Sequence, residues 1–183
     1  MIQKDVITIG DAMITFNSMS KRLLRYVHSY ERKVGGAELN FSIGCSRLGI
    51  KTGFISRIGN DEFGRYALNF IRGEGIDTSE IKLIDDYPTS INFKEILEDG
   101  SGRTFYYHDR LPTEVLTEES ISEDYIRKTK ILHLTGVFAA INSKNIRILE
   151  HAAKLAKKHN VQVSFDPNIR SRLWSIKEAW EGL

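Results

Sequence analysis

The sequence predicts an α/β fold with a doubly wound, mostly parallel sheet, flanking helices and a small β lid. The first observation is an alternation of short β-rich runs with amphipathic helical segments, which favours right-handed crossovers between parallel strands. The second is that this alternation is interrupted at about 12–34 and 88–111. Both interruptions fall beside carboxyl ends of predicted strands, where ligands bind in open α/β sheets. We therefore expect one α/β domain over residues 1–183, with these two stretches inserted as a lid.

Hydrophobic periodicity and turn residues predict the individual elements. Asp61 and Ser143 are predicted helix N-caps, whereas Gly49 and Asn160 are predicted to end the helices that precede them. The segment 99–102 is typical of a hairpin turn between two lid strands. Strands are expected at 6–11, 52–58, 90–97, 104–108, 131–135 and 161–165, and the stretch 12–34 is expected to form strands and loops. Helices are expected at 37–48, 61–72, 118–130, 143–159 and 172–182.

Composition narrows the classes of function. The 183 residues carry a net charge of +2 and the basic residues are spread along the chain, which argues against nucleic acid or a membrane surface as partner. Cys45 is the single cysteine, so neither a disulfide framework nor a zinc cluster is expected. No apolar run is long enough to span a bilayer, and residues 1–5 lead into a strand without a signal-peptide pattern. These features favour a cytoplasmic protein.

The stretch 35–42, Gly-Gly-Ala-Glu-Leu-Asn-Phe-Ser, is the most informative segment. Gly35 and Gly36 end an extended run just before a helical pattern, which predicts a turn whose backbone can approach a ligand closely. Asn40 follows in the first helical turn, and its amide can both donate to and accept from sugar hydroxyls. Asp11, after the first strand, can accept hydrogen bonds from a pair of hydroxyls. The alternative is a local role in turn geometry.

Two other segments place polar side chains at the expected ligand edge. Strand alternation puts Tyr106 and His108 on one face, where they either cover a ligand or pack on the sheet. Asn92 on the partner strand can share that face. Pro167 stops the last strand, and the Arg170 that follows has a planar fork suited to a carboxylate or phosphate. The alternative for Arg170 is a surface loop with a local acidic partner.

Five motifs together resemble those of the PfkB/ribokinase family of sugar kinases. They are the Gly-Asp after the first strand, the Gly-Gly…Asn turn, and the runs 57–64, 74–77 and 166–170. They occur in the family's order and spacing over essentially the whole chain. The turn 59–64 favours a structural role, as a turn followed by a capped helix. Glu38 stands where a small residue or proline is usual, a departure familiar among family members acting on 2-keto-3-deoxygluconate and similar acid sugars.

The resemblance implies phosphorylation of 2-keto-3-deoxygluconate by ATP with Mg²⁺, and it implies roles for particular residues. Substrate contacts would come from Asp11, Gly35, Gly36, Asn40, Asn92, Tyr106, His108 and Arg170. Contacts to the ATP phosphates would come from Asn168 and Arg170. His108 replaces a usual arginine and is mostly neutral at pH 7, so Arg110 could substitute for it. Fructose or another neutral sugar therefore stays an alternative substrate.

The family's anion hole and catalytic base lie in a Gly-x-Gly-Asp motif of its C-terminal half, and these 183 residues contain no such motif. The resemblance thus implies the N-terminal portion of a kinase, incomplete at its C-terminus. The alternative is a truncated or split fragment that binds sugar without transferring phosphate. A plain nucleotide-binding module lacks support because no Walker or Rossmann glycine pattern occurs. An unpaired sheet edge at 161–165 predicts a homo-oligomer, formed through that edge or through the lid, or pairing with a missing half of the protein.

Overall fold

The computed structural model of the chain describes residues 4–107, 110–170, 173, 175 and 177. Its strands are β1 (Lys4–Ile9), β2 (Met13–Ser18), β3 (Tyr30–Gly35), β4 (Thr52–Gly59), β5 (Ile81–Ile84), β6 (Ile91–Ile96), β7 (Gly102–Tyr107), β8 (Thr129–Thr135) and β9 (Gln162–Asp166). Its helices are α1 (Ala37–Arg47), α2 (Glu62–Gly73), α3 (Glu123–Arg127), α4 (Gly136–Ile141) and α5 (Ser143–Lys158). Among these described residues, no helix is both long enough and apolar enough to cross a membrane.

The larger sheet has five strands in the order β5-β4-β1-β8-β9, and every neighbouring pair is parallel. Successive residues of a strand point to opposite faces, and both faces of this sheet are covered by helices. Phe54 of β4 packs in one cluster with Leu39 of α1 and Ile71 of α2. Ile55, the next residue, packs in a second cluster with Ile148 of α5. The sheet is therefore doubly wound, as the sequence predicts.

The smaller sheet, which we call the lid, has four strands in the order β3-β2-β6-β7. The β2–β3 and β6–β7 pairs are antiparallel, and β2–β6 is parallel. Phe16 of β2 stacks on Phe93 of β6 with 5.0 Å between ring centroids, and it meets Phe63 of α2 edge-on at 5.8 Å. These aromatic contacts fasten one face of the lid to α2. The opposite face carries Asn92 and Tyr106, which are paired across β6 and β7.

Local chemistry correctly predicts several helix ends. Asp61 is the N-cap of α2, and its Oδ1 accepts a hydrogen bond of 2.7 Å from the Gly64 amide. After α1 and α5, the backbone turns left-handed at Gly49 (φ 81°) and at Asn160 (φ 56°). Glycine and asparagine tolerate that conformation best, which is why they end helices.

The predicted cap of α5 is wrong by one residue. Ser143 is the first helical residue, and the N-cap is Asn142, whose Oδ1 accepts from the Lys144 amide at 3.1 Å. Asparagine and serine cap helices about equally well, so the local sequence does not separate the two positions.

The predicted helix 118–130 is also wrong. The chain instead forms a single 3₁₀ turn at Glu118–Ser120, and then α3 begins afresh after Ser122, whose hydroxyl caps it. Thr129 already belongs to β8, where pairing with β1 outweighs the helical pattern. Helix propensity is a weak prior that tertiary pairing overrides.

Two short elements, β5 and α4, are absent from the prediction. β5 is a four-residue strand that exists through its parallel pairing with β4. α4 begins at Gly136, which the sequence marked as the end of a strand. β7 begins two residues before the predicted start of 104–108. The predicted helix 172–182 lies outside the residues that are described apart from isolated positions.

Two helical glycines have opposite surroundings and provide a matched test of the packing. An added Cβ at Gly64 would lie 1.9 Å from the Gly59 carbonyl oxygen, whereas at Gly44 it would meet nothing within 4 Å. We predict that Gly64→Ala lowers the free energy of unfolding by about 3 kcal/mol through overpacking. Gly44→Ala should raise it by about 1 kcal/mol. Urea unfolding checks both, and equal effects of the two substitutions would contradict this packing.

Candidate functional site

A cleft of about 450 Å³ opens between the lid and the carboxyl ends of the parallel strands. It brings together Tyr106 of β7, Val137 of α4 and Arg170 from the segment after β9. Of the described residues that line it, Arg170 alone is charged. Its lining residues are Gly102, Thr104, Tyr106, Val137, Ile169, Arg170 and Leu173. Two residues predicted from the sequence to face a ligand, Tyr106 and Arg170, therefore share one cleft.

The turn at Gly35 and Gly36 is pressed against Asp11. A Cβ at Gly36 would lie 2.3 Å from the Asp11 carbonyl oxygen, and Gly36 has a φ of 144°, so both space and conformation require glycine there. Gly36 is the N-cap of α1 and has no side chain that could accept from the first helical N–H groups. Asn40 lies exposed on the first turn of α1. Asp11 itself is only 2% exposed.

The Ser90 hydroxyl lies close enough to the Asp11 carboxylate to oppose the rise of its pKa, but two buried acceptor oxygens near this turn have no hydrogen-bond partner among the described residues. They are Oδ1 of Asp11 and Oδ1 of Asn92, which is 3% exposed. Asn92 uses its other amide atom, Nδ2, to donate to the Met13 sulfur at 2.8 Å, which places it beside the strand that follows Asp11. Buried acceptors normally have partners, so unpartnered ones facing a ligand edge mark places for donor groups of a ligand.

Glu38 is a buried acidic residue beside this turn to which the sequence assigned no role. It is 2% exposed, and the Thr135 hydroxyl donates to its Oε1. A Cβ at Gly10 would lie 2.4 Å from its Oε2, so the carboxyl group also fills the space above the end of β1. Glu38 thus links α1 to β1 and β8. The one feature of the sequence that pointed to Glu38 was its departure from the small residue or proline usual at this position in the family.

The segment 166–170 is shaped by two local contacts. The Asn168 amide donates to Asp166 Oδ1 at 2.9 Å, and Asn168 itself has a φ of 39°. A Cβ at Gly136 would lie 2.1 Å from the Pro167 carbonyl oxygen. The segment therefore packs closely against the start of α4. This packing directs the chain toward the cleft, where Arg170 is exposed.

Two further residues, His108 and Arg110, were predicted from the sequence to lie near the substrate. His108 lies outside the described residues. Arg110 lies over the Tyr87 ring, with its guanidinium carbon 4.3 Å from the ring centroid, and it is not part of the cleft lining. Among the described residues, no group of three or more His, Cys, Asp or Glu side chains is placed to hold a metal ion.

Comparison with known proteins identifies the family. Residues 3–182 match the pfkB family carbohydrate kinases. The chain belongs to this family. It is 34% identical over 176 residues to the 5-dehydro-2-deoxygluconokinase of Bacillus licheniformis, covering 95% of this chain and 54% of that protein. It is 30% identical over 171 residues to the 2-dehydro-3-deoxygluconokinase of Bacillus subtilis, covering 93% and 53%.

Solved structures of the family share the fold. The chain superposes on a PfkB protein from Polaromonas sp. with a TM-score of 0.93 and 32% identity, covering 98% of this chain and 61% of that one. It superposes on a sugar kinase from Pyrococcus horikoshii in complex with ATP with a TM-score of 0.82 and 30% identity, covering 97% and 58%. The chain spans about half the length of the curated relatives it matches.

Within this family fold, two buried carboxyl groups have strongly perturbed acidity. Burial, reinforced by the nearby Glu38, raises the pKa of Asp11 to about 7. Burial also raises the pKa of Glu38 to about 7, although the hydrogen bond from Thr135 opposes the change. The cause is the same in both cases, because removal from water disfavours the charged form. Near neutral pH both groups are therefore poised to gain or lose a proton.

The sign of the resulting pH dependence is testable with Glu38→Gln. The pKa of Glu38 is 4.5 in the unfolded chain and about 7 in the folded chain, so the folded chain binds this proton more tightly. The free energy of unfolding of the wild type therefore falls as the pH rises from 4.5 to about 7. Glutamine does not ionise. We predict that the free energy of unfolding of Glu38→Gln, relative to wild type, increases between pH 5 and 8. Glu98→Gln, on the exposed lid hairpin, is the control and should show no such trend in urea unfolding.

Proposed function

We propose that this chain is the sugar-binding portion of an ATP-dependent kinase that phosphorylates 2-keto-3-deoxygluconate, also called 2-dehydro-3-deoxygluconate. The observation that carries the proposal is the pair of buried, unpartnered acceptors, Asp11 Oδ1 and Asn92 Oδ1, beside the close turn at Gly36. Sugar hydroxyls supply the missing donors. The names of the relatives from Bacillus licheniformis and Bacillus subtilis, both kinases of deoxygluconate derivatives, support an acid sugar.

Each part of the site has a role in this proposal. Asp11 accepts from substrate hydroxyls, while Gly35 and Gly36 let the backbone approach the sugar. Asn40 and Asn92 bind hydroxyls from the α1 side and from the lid. Tyr106 covers the sugar, and the resemblance gives the same role to His108, which lies outside the described residues. Arg170, the one charged residue in the described lining of the cleft, pairs with the substrate carboxylate or the transferring phosphoryl group.

ATP would bind at the segment 166–170, where Asn168 and Arg170 face the phosphates. The segment fits this role because its backbone is held by Asp166 and Pro167 while the Arg170 guanidinium stays exposed. Mg²⁺ would be carried largely by the phosphate oxygens, as is usual for this ion at nucleotide sites. An ATP-dependent reaction and the single, free Cys45 favour a cytoplasmic location.

Phosphoryl transfer requires a base for the attacking sugar hydroxyl and donors for the transferring group. We expect these in a Gly-x-Gly-Asp motif, which does not occur in the 183 residues. The chain alone is therefore proposed to bind sugar and not to turn it over. Turnover of any sugar in a coupled assay by the chain alone would contradict this part of the proposal. Activity that appears after addition of a C-terminal family fragment would support it.

Calorimetric titration with 2-keto-3-deoxygluconate tests the site directly. We predict that Asp11→Asn weakens binding about tenfold to a hundredfold, because a hydrogen bond to a carboxylate contributes about 1.5–3 kcal/mol. Asp124→Asn, in the surface helix α3, is the matched control and should bind like wild type. Equal affinities for wild type and Asp11→Asn would contradict the assignment of Asp11. Tighter binding of fructose than of the acid sugar would favour the neutral-sugar alternative.

The lid face that carries Phe93, opposite to Asn92 and Tyr106, is the surface that supports a homo-oligomer. It forms a cleft of about 650 Å³ between the loop after β2 and the aromatic residues of β6 and β7. Phe105 and Tyr107 are 37% and 60% exposed there, and Glu95 is buried with an unpartnered Oε1. Arg103 lies 4.0 Å from that carboxylate and is itself exposed, so this face combines apolar surface with an exposed cation. A second copy of this chain would cover the exposed aromatic side chains of this face.

The route of association can be tested with two matched substitutions. Phe105 on the lid and Phe165 on the edge strand β9 are 37% and 44% exposed. We predict that Phe105→Asp converts the oligomer to a monomer, because a charge replaces apolar contact surface, whereas Phe165→Asp does not. Light scattering after size exclusion gives the mass. The reverse result would place the interface at the sheet edge, and a monomeric wild type would contradict association altogether.

A further inference from the structure

The turn 59–64, whose sequence favours a purely structural role, makes a long-range contact to the lid. Asp61 Oδ1 caps α2 through the Gly64 amide, a single hydrogen bond of 2.7 Å. The same carboxylate also accepts from Thr89, which is 28 residues away: the Thr89 amide donates to Oδ2 at 2.8 Å and the Thr89 hydroxyl donates to Oδ1 at 2.7 Å. A helix cap alone needs only the first of these three bonds.

The backbone around Thr89 is tightly packed against two glycines of the turn 59–64. A Cβ at Gly59 would lie 2.5 Å from both the Thr89 amide nitrogen and the Tyr87 carbonyl oxygen. A Cβ at Gly64 would lie 2.9 Å from the Thr89 hydroxyl. Thr89 is 3% exposed and Asp61 is half-buried, so the three bonds to Asp61 are partly removed from water. Burial raises the pKa of Asp61, but the hydrogen bonds from Thr89 and Gly64 outweigh it and lower the pKa overall, which keeps the acceptor charged.

Thr89 is the last residue but one before β6, the lid strand that carries Asn92. Ser90, which follows it, accepts a hydrogen bond of 2.8 Å from the Ile14 amide of β2. The bonds to Thr89 therefore hold the start of β6 beside β2, and they set the position of Asn92, the second residue of β6, relative to the candidate site. We propose that Asp61 is a positioning residue that latches the lid over the sugar site without touching the sugar. The effect on sugar binding rests on the proposed function.

Two variants separate the latch from the helix cap. In Asp61→Asn, whichever way the amide is turned, one of the two backbone N–H donors meets an NH₂ group instead of an acceptor. Thr89→Val removes only the hydroxyl donor and leaves the cap of α2 intact. Asp77→Asn is the matched control, because Asp77 also accepts from a loop amide, that of Ser79, at the opposite end of the sheet.

Amide hydrogen exchange and calorimetry provide independent readouts. We expect exchange in β6 and β7 to rise about tenfold in Asp61→Asn and less in Thr89→Val, while the central strands β1 and β4 stay protected. The dissociation constant for 2-keto-3-deoxygluconate should rise about tenfold in Asp61→Asn. Asp77→Asn should change neither quantity.

The outcomes are distinct. Unchanged lid exchange in both Asp61→Asn and Thr89→Val would overturn the latch. Faster lid exchange with unchanged sugar affinity would overturn the positioning role. If the wild-type chain binds no sugar, the proposed function fails, and lid exchange alone then decides whether the latch exists. If Asp61→Asn does not fold, Thr89→Val decides, since it retains the cap.

Discussion

The close contact between Gly36 and the Asp11 carbonyl is the constraint on which the site depends. The chain leaves the parallel sheet for the lid just after Asp11 and returns from it at Gly36, so the two crossings are held side by side. A side chain at position 36 would separate them, and it would also disfavour the φ of 144°. The contact orients the start of α1 and encloses the Asp11 carboxyl group. The geometry of the floor therefore follows from a backbone approach that glycine alone permits.

That enclosure has an electrostatic consequence. Asp11 and Glu38 are both almost completely buried, and neither forms an ion pair with a described residue. A buried carboxyl group without a cation avoids the cost of desolvation by holding its proton, which is why both pKa values rise to about 7. Glu38 has a donor in Thr135, whereas Asp11 Oδ1 has none. A ligand hydroxyl that donates to Asp11 would favour its charged form, so binding would be linked to proton release.

Sequence reasoning succeeded where a few neighbouring residues decide the outcome. The cap at Asp61 and the left-handed helix ends at Gly49 and Asn160 depend on local chemistry alone. It failed where distant contacts decide. β5 is a strand because β4 lies beside it, and Thr129 begins β8 because it pairs with β1, although the sequence there predicts a helix.

The same division applies to the candidate site. Tyr106 and Arg170 line one cleft, because alternation and strand order fix the direction of side chains at a sheet edge. Glu38 was noticed as unusual but not assigned, because its partner Thr135 is 97 residues away in sequence. Asp61 was recognised as a cap, but its second partner, Thr89, became visible only in three dimensions. Burial and long-range hydrogen bonds are properties of the assembled fold.

The candidate site is formed by two parts of the fold, since Asp11 follows β1 of the parallel sheet and Asn92 belongs to the lid. Their unpartnered oxygens lack donors as long as no ligand bridges them. In the proposed function, sugar hydroxyls that donate to these two acceptors would tie the lid to the sheet. Lid and sheet are already tied by the aromatic contacts at Phe63 and by the bonds of Asp61 to Thr89. Ligand binding thus adds a third attachment to a nearly ordered arrangement, which limits the entropy lost on binding.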